Sequence, residues 1–264
     1  MRFFEMNNIF VYIEMEGGKV ADVCLELLTK GRELATTLGV KLEAVVLGHN
    51  LAGIETELAK YGADTVWVAD DPLFSPFRTL PHTAVLCGLI GQEKPQIALF
   101  GATPVGRDFA PRVSSALHSG LTADCTQLEI GDHKDAKTGT EYKNLLYQIR
   151  PAFGGNIMAQ IAIRRSRPQF ATVRYRVMDR AERVQNPTDS VVKCTVTDDM
   201  ARSRIRILSS EVIEKQKTID EEDILVVAGR GVRSEKDVAM CRRLAEALGG
   251  QLAFTRPMVE NGFG

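Results

Sequence analysis

The chain is 264 residues long, 44% hydrophobic and 25% charged, with 33 basic side chains against 34 acidic ones. A formal net charge of −1 leaves no basic excess to neutralise phosphates, so no nucleic-acid partner is expected. No apolar run approaches the roughly 18 to 20 residues of a membrane span, and Glu5 and Glu14 interrupt the N-terminal apolar patch, so neither membrane insertion nor secretion is expected.

IFVYIEM (9–15) reads as the first strand, and 19–39 as a helix with Val20, Val23, Leu27, Leu28 and Leu34 at helical spacing and Gly39 as its C-cap. A second strand follows at 41–48, a short helix at 54–62, a third strand at 64–70 and a helix at 79–94. The fourth strand is expected at 95–101 and the next helix at 110–120. This alternation with short loops specifies an α/β fold, a parallel sheet covered by helices on both faces. Ligands of such folds sit beyond the carboxyl ends of the strands.

GATPVGRDF, beginning at Gly101, lies at such an end. It has glycines but lacks the lysine and hydroxyl of a P-loop, and carries Arg107 and Asp108 instead. Asp108 is placed to accept from amides of the helix start, with Pro111 in the first turn, while Arg107 and Arg112 can pair with Asp108, Asp124 or a partner chain. A nucleotide turn and a purely architectural one both fit the pattern.

After Thr126 the alternation stops. The runs 145–152, 156–163 and 169–177 read as antiparallel or edge strands, the last with basic side chains on one face. Residues 179–203 read as a polar linker and 204–219 as a further strand before a turn. A second α/β unit then starts, with a strand at 224–228, a Gly-Arg-Gly turn, a helix over 234–248 capped by Ser234, a Gly-Gly stop and a strand at 251–254. One such unit cannot bury both faces of a sheet by itself.

The five cysteines and four histidines are scattered without metal-ligand spacing, which fits reduced thiols in a cytoplasmic compartment. No nucleophile–base pair is readable, so no catalytic residue and no metal site is expected. Two strand ends carry candidate binding groups. GRGVRS (229–234) sets backbone amides and the Arg230 guanidinium at a helix start, which suits a pyrophosphate or a plain tight turn. In FTRPMVENG (254–262), Pro257 should hold Arg256 extended at a strand end, facing an anionic ligand or solvent.

GATPVGRDFAPRVSSALHSGLTADCTQLEI, RPAFGGNIMAQI, RPQFATVR, GRGVRSEK and TRPMVENGFG, in that order, resemble the α subunit of electron transfer flavoprotein across almost the whole chain. The resemblance implies a heterodimer with a β subunit that carries electrons from acyl-CoA dehydrogenases or other flavin dehydrogenases to a downstream acceptor. It implies a nucleotide-binding-like parallel-sheet domain with a small antiparallel extension at 1–203, the extension at about 126–178 and the linker at about 179–203. From 204 to 264 it implies the start of a Rossmann-like FAD-binding domain. Arg230 matches the family's pyrophosphate or ribityl-side contact, Thr255 the hydroxyl that contacts FAD, and Arg256 the arginine beside the flavin ring that stabilises negative charge on it. AMP, or a second FAD, belongs to the β subunit. The family continues through further flavin-gripping blocks that this sequence lacks, so the chain is read as a C-terminally truncated member that holds FAD weakly. The readings set beside this one are a cofactor-free docking or dimerisation fragment and an adenine-nucleotide-binding module using the loop at Gly101.

Overall fold

In the computed structural model, which describes residues 7–182, 190–209, 211, 219 and 222–263, the run IFVYI becomes β1 (Ile9–Ile13) with all five side chains buried. Burial on both sides is what a central parallel strand requires, and it explains why the run shows no polar alternation. A two-residue hairpin follows, β2 (Met15–Glu16) and β3 (Lys19–Val20). Helix α1 (Asp22–Leu38) ends at Gly39, whose φ of 68° supplies the left-handed cap the sequence predicts. Then come β4 (Leu42–Gly48), α2 (Ile54–Lys60), β5 (Thr65–Asp70), α3 (Thr79–Glu93) and β6 (Ile97–Gly101), in the expected order.

The next helix differs from expectation. α4 spans Pro104–Ala116, starting well before Ala110. Thr103 is its N-cap, accepting from the Gly106 amide at 2.9 Å, and Pro104 occupies the first helical position, where a missing N–H costs nothing. Pro111 therefore lies inside the helix rather than in its first turn.

β7 (Leu121–Cys125) is followed by β8 (Gln127–Lys134), β9 (Glu141–Ala152) and β10 (Ile157–Ala162), which form an antiparallel sheet in the order β10-β9-β8. The run at 169–177 was expected to be antiparallel or an edge. Instead β11 (Gln169–Val173) is fully buried and lies parallel between β6 and β7. The basic alternation that suggested an edge falls on Arg174 and Arg176, beyond the strand's end. β12 (Val191–Lys193), inside the segment read as linker, pairs with β5. The main sheet has seven parallel strands in the order β12-β5-β4-β1-β6-β11-β7. One core lies between the sheet and α1, around Val23, Leu27, Leu28 and Leu34. The other, against α3 and α4, is built on Phe10, Tyr12, Phe100, Phe109 and Phe170.

The chain divides into two compact units, residues 1–206 and 207–264. Of the strand expected at 204–219, residues 204–209 have no strand geometry, and most of the remainder lies outside the described residues. The second unit contains β13 (Leu225–Ala228), α5 (Glu235–Leu248), β14 (Gln251–Phe254) and the single-turn α6 (Arg256–Glu260). β13 and β14 are parallel and in register from Leu225↔Gln251 to Ala228↔Phe254. Ser234 caps α5 by accepting from the Asp237 amide at 3.3 Å. Among the described residues no helix is long and apolar enough to cross a membrane.

Candidate cofactor-binding site

Two places in this fold answer to the description of a ligand site at the carboxyl ends of parallel strands. The first is the switch point of the large sheet, where β1 and β6 are neighbours and their connections leave in opposite directions. Here the protein's own groups meet across the loop. The Thr103 hydroxyl donates to Glu14 Oε2 at 2.6 Å, so a carboxylate answers the N-terminus of α4. Burial raises the pKa of Glu14, and the Thr103 hydrogen bond opposes that rise.

The glycines are occupied too. A Cβ on Gly106 would stand 1.9 Å from the Gly101 carbonyl oxygen, and one on Gly101 would stand 2.6 Å from Val23 Cγ1. Their missing side chains admit the protein's own atoms. Arg107 bridges to Asp124 at 3.2 and 3.3 Å, and Asp108 accepts from the Thr79 hydroxyl at 2.5 Å rather than from helix-start amides. Arg112 is exposed. The loop's glycines, Thr103, Arg107 and Asp108 are thus engaged in contacts within the chain. Thr103 and Glu14 were not singled out from sequence, although Thr-Pro before a helical run is an N-cap signal that pointed to the first of them.

The second place is in the unit formed by residues 207–264. After β13, Gly229 to Val232 form a turn closed by the Val232 amide donating to the Gly229 carbonyl at 2.9 Å. Arg230 projects from this turn, exposed and without an ion-pair partner among the described residues. Gly231 leaves its backbone uncovered, since a Cβ there would meet nothing within 4 Å. After β14, the Thr255 amide donates to the Ala228 carbonyl at 3.0 Å. A Cβ on Gly229 would lie 3.9 Å from Thr255 Cγ2 and 4.0 Å from its hydroxyl oxygen. The two loops therefore stand side by side, and Arg230 and Thr255 share one end of one sheet.

Thr255 is the N-cap of α6 but makes no side-chain cap hydrogen bond, which leaves its hydroxyl for another acceptor. Arg256 is not extended, as the following proline suggested. It is the first residue of α6, with Pro257 tolerated beside it in the first turn, and its Nε donates to Glu260 at 2.8 Å. Its side chain is 89% exposed, so that pair is a weak restraint. The set presents two guanidinium groups, a hydroxyl and uncovered backbone at a strand-to-helix crossing, an arrangement of donors that suits a phosphate-bearing anionic ligand. The cysteines are free thiols, and burial pushes Cys24 and Cys125 up to about 12. They act as small core side chains.

Comparison with known families decides the lineage. Residues 9–199 match the electron transfer flavoprotein domain, and residues 218–264 match the electron transfer flavoprotein FAD-binding domain. The chain belongs to the electron transfer flavoprotein α-subunit family. It is 37% identical over 260 residues to electron transfer flavoprotein subunit alpha of Thermoanaerobacterium thermosaccharolyticum, covering 98% of this chain and 76% of that protein. The corresponding subunit of Clostridium acetobutylicum is 39% identical over 97% of this chain and 74% of its own length. Subunit LctC of the lactate dehydrogenase (NAD(+),ferredoxin) of Acetobacterium woodii is 43% identical over 97% of this chain, which spans 59% of that relative. The candidate cluster of this electron transfer flavoprotein chain, at 229–231 and 255–256, lies inside the segment that matches the FAD-binding domain.

Proposed function

We propose that this chain works as the FAD-binding α subunit of a two-subunit electron carrier, which passes electrons from dehydrogenases such as acyl-CoA dehydrogenases to a downstream acceptor. The carrier moves electrons between enzymes and transforms no substrate of its own. LctC, a subunit of a lactate dehydrogenase, shows that a relative is named as part of an enzyme assembly, so stable association with a dehydrogenase is within this reading. Free cysteines throughout support a cytoplasmic location.

The observation that carries the reading is the junction of the two loops. Thr255 bonds to the end of β13 and abuts Gly229, which brings Arg230 and Thr255 to the same sheet end within the segment matching the FAD-binding domain. FAD, when bound, supplies the redox chemistry. The chain's part is to bind and orient it. In this reading Arg230 neutralises the pyrophosphate from the open turn, and Thr255 donates its uncommitted hydroxyl. Arg256, released from its exposed pair with Glu260, would place a cation where negative charge develops.

The test is to purify the chain together with its β subunit and measure bound flavin by absorbance. With FAD supplied in excess, flavin absorbance in the complex is expected, in keeping with a chain that holds FAD weakly. Arg230→Ala and Thr255→Ala should each weaken FAD binding by about tenfold, as expected for loss of one hydrogen-bonding anchor. Arg256→Ala should lower the flavin potential by more than it weakens binding. A colourless complex overturns the reading. An Arg256→Ala complex with unchanged potential removes that residue's role.

A further inference from the structure

The hairpin of β9 and β10 ends in an unguarded apolar surface of the first unit. Phe153 is 81% exposed, Met158 54% and Ile157 53%. From Pro151 to Ile163 the sequence PAFGGNIMAQIAI holds no charged side chain. β10 pairs with β9 alone among the described residues, so its other edge presents unpaired backbone donors and acceptors. Natural sheets blunt such edges with charges, prolines or bulges, or cover them. β10 itself carries none of the first three, which leaves covering.

The charges around the run indicate what covers it. Arg150 stands opposite Ala159 in the β9–β10 register, and the exposed Arg165 lies just beyond the strand's end. Neither has an ion-pair partner among the described residues, whereas Arg164 is held by Asp135. A second copy pairing its own β10 run along this edge brings no carboxylate to these cations, because residues 151–163 contain none. A different chain can.

We propose that the partner subunit adds an extended strand to the free edge of β10, apolar along its length and flanked by carboxylates that meet Arg150 and Arg165. The inference rests on the two-subunit reading and gives it a location. Main-chain hydrogen bonds supply the register, Phe153, Ile157 and Met158 are covered, and the flanking charges set direction.

The experiment is hydrogen exchange on the full chain, alone and saturated with its β subunit, alongside affinities for two variants. Amides in 157–162 should gain protection on binding. Met158→Lys should weaken association about tenfold or more with an unchanged melting temperature, since the side chain is exposed. Arg165→Glu should weaken it too and flatten its salt dependence. Tight binding with no new protection at 157–162 and no effect of Met158→Lys overturns the docking strand while leaving the two-subunit carrier intact. Failure of the two proteins to associate at all overturns both. Protection of 157–162 that rises with the concentration of this chain alone assigns the edge to a second copy, and likewise overturns the proposal.

Discussion

His82 shows how far burial can move a single group. It sits on α3 with 1% of its surface exposed, and its ring packs against Phe74, Phe77 and Phe109 at centroid distances of 5.1, 4.5 and 6.1 Å. Nδ1 lies 2.8 Å from the Arg78 carbonyl oxygen, so the neutral tautomer with its proton on Nδ1 satisfies that acceptor. Burial pushes the pKa down from 6.5 to about 4. The unfolded chain therefore takes up a proton in a range where the folded chain resists it. The stabilising contribution is fully present above the unfolded pKa of 6.5 and is lost as pH falls toward 4. A shift of this size corresponds to on the order of 3 kcal/mol. His82→Leu removes the titration. The stability gap between the wild-type chain and this variant, read from urea midpoints, should be flat above neutrality and shift steadily against the wild type on acidification. A gap that stays constant across that range would show that His82 titrates normally.

At the scale of elements, α4 is the instructive case. Its first turn contains Gly106, a residue that costs a helix about 1 kcal/mol relative to alanine on propensity alone. The glycine is there because the helix start lies directly on the end of β6, with the Gly101 carbonyl oxygen 1.9 Å from where a Cβ would be. Gly91, in the last turns of α3, has no atom within 4 Å of its own Cβ position and a φ outside the left-handed region. The same substitution should therefore have opposite signs at the two sites. Gly91→Ala should stabilise by roughly 0.5–1 kcal/mol. Gly106→Ala should destabilise by about 3 kcal/mol or more, because backbone must move. Denaturant midpoints of the two variants check this, and a Gly106→Ala protein as stable as the wild type would contradict the close contact.

These elements also mark what the sequence makes legible. The longer strands and helices up to Gly101 could be read because local pattern and tertiary burial agree there, whereas the two-residue strands β2 and β3 are too short for any period and Val20 was taken into the helix that starts at Asp22. The start of α4 could not, because Gly, Thr and Pro each favour loops in isolation and become a helix start only when Thr103 is seen to accept from Gly106. β11 looked like an edge because Arg174 and Arg176 continue an apparent alternation past the point where pairing with β6 and β7 stops. β12 has three residues, too few for any period, and owes its identity to β5. In the candidate site, the turn at Arg230 and the strand end at Thr255 are local features and were readable. The helical placement of Arg256 was not, since a capped first turn overrides the bias that a following proline imposes.

For the whole molecule, the two units differ in how much core they own. The first buries large side chains on both faces of a seven-stranded sheet, with Phe10, Phe100, Phe109, Phe170, Ile9 and Leu27 all at 2% exposure or less. The second buries Ala228, Val238, Ala245, Ala253 and Met258, mostly small residues, while Leu225, Val227, Met240, Leu244 and Leu248 remain exposed. Met240, Leu244 and Leu248 recur every four residues and form a second apolar stripe on α5, apart from the one that packs on the sheet. The two-stranded sheet and the helices α5 and α6 found among its described residues fall below what is needed for independent stability in water. Expressed separately, residues 7–206 should unfold in one cooperative transition, with sharp loss of both near- and far-ultraviolet circular dichroism. Residues 207–264 should show no cooperative melt and should bind an apolar dye such as ANS through the uncovered faces of β13 and α5. A cooperative, dye-silent transition in the smaller fragment would mean that its few buried alanines, Val238 and Met258 suffice, and that the stripe on α5 is ordinary surface rather than a face shaped to be covered.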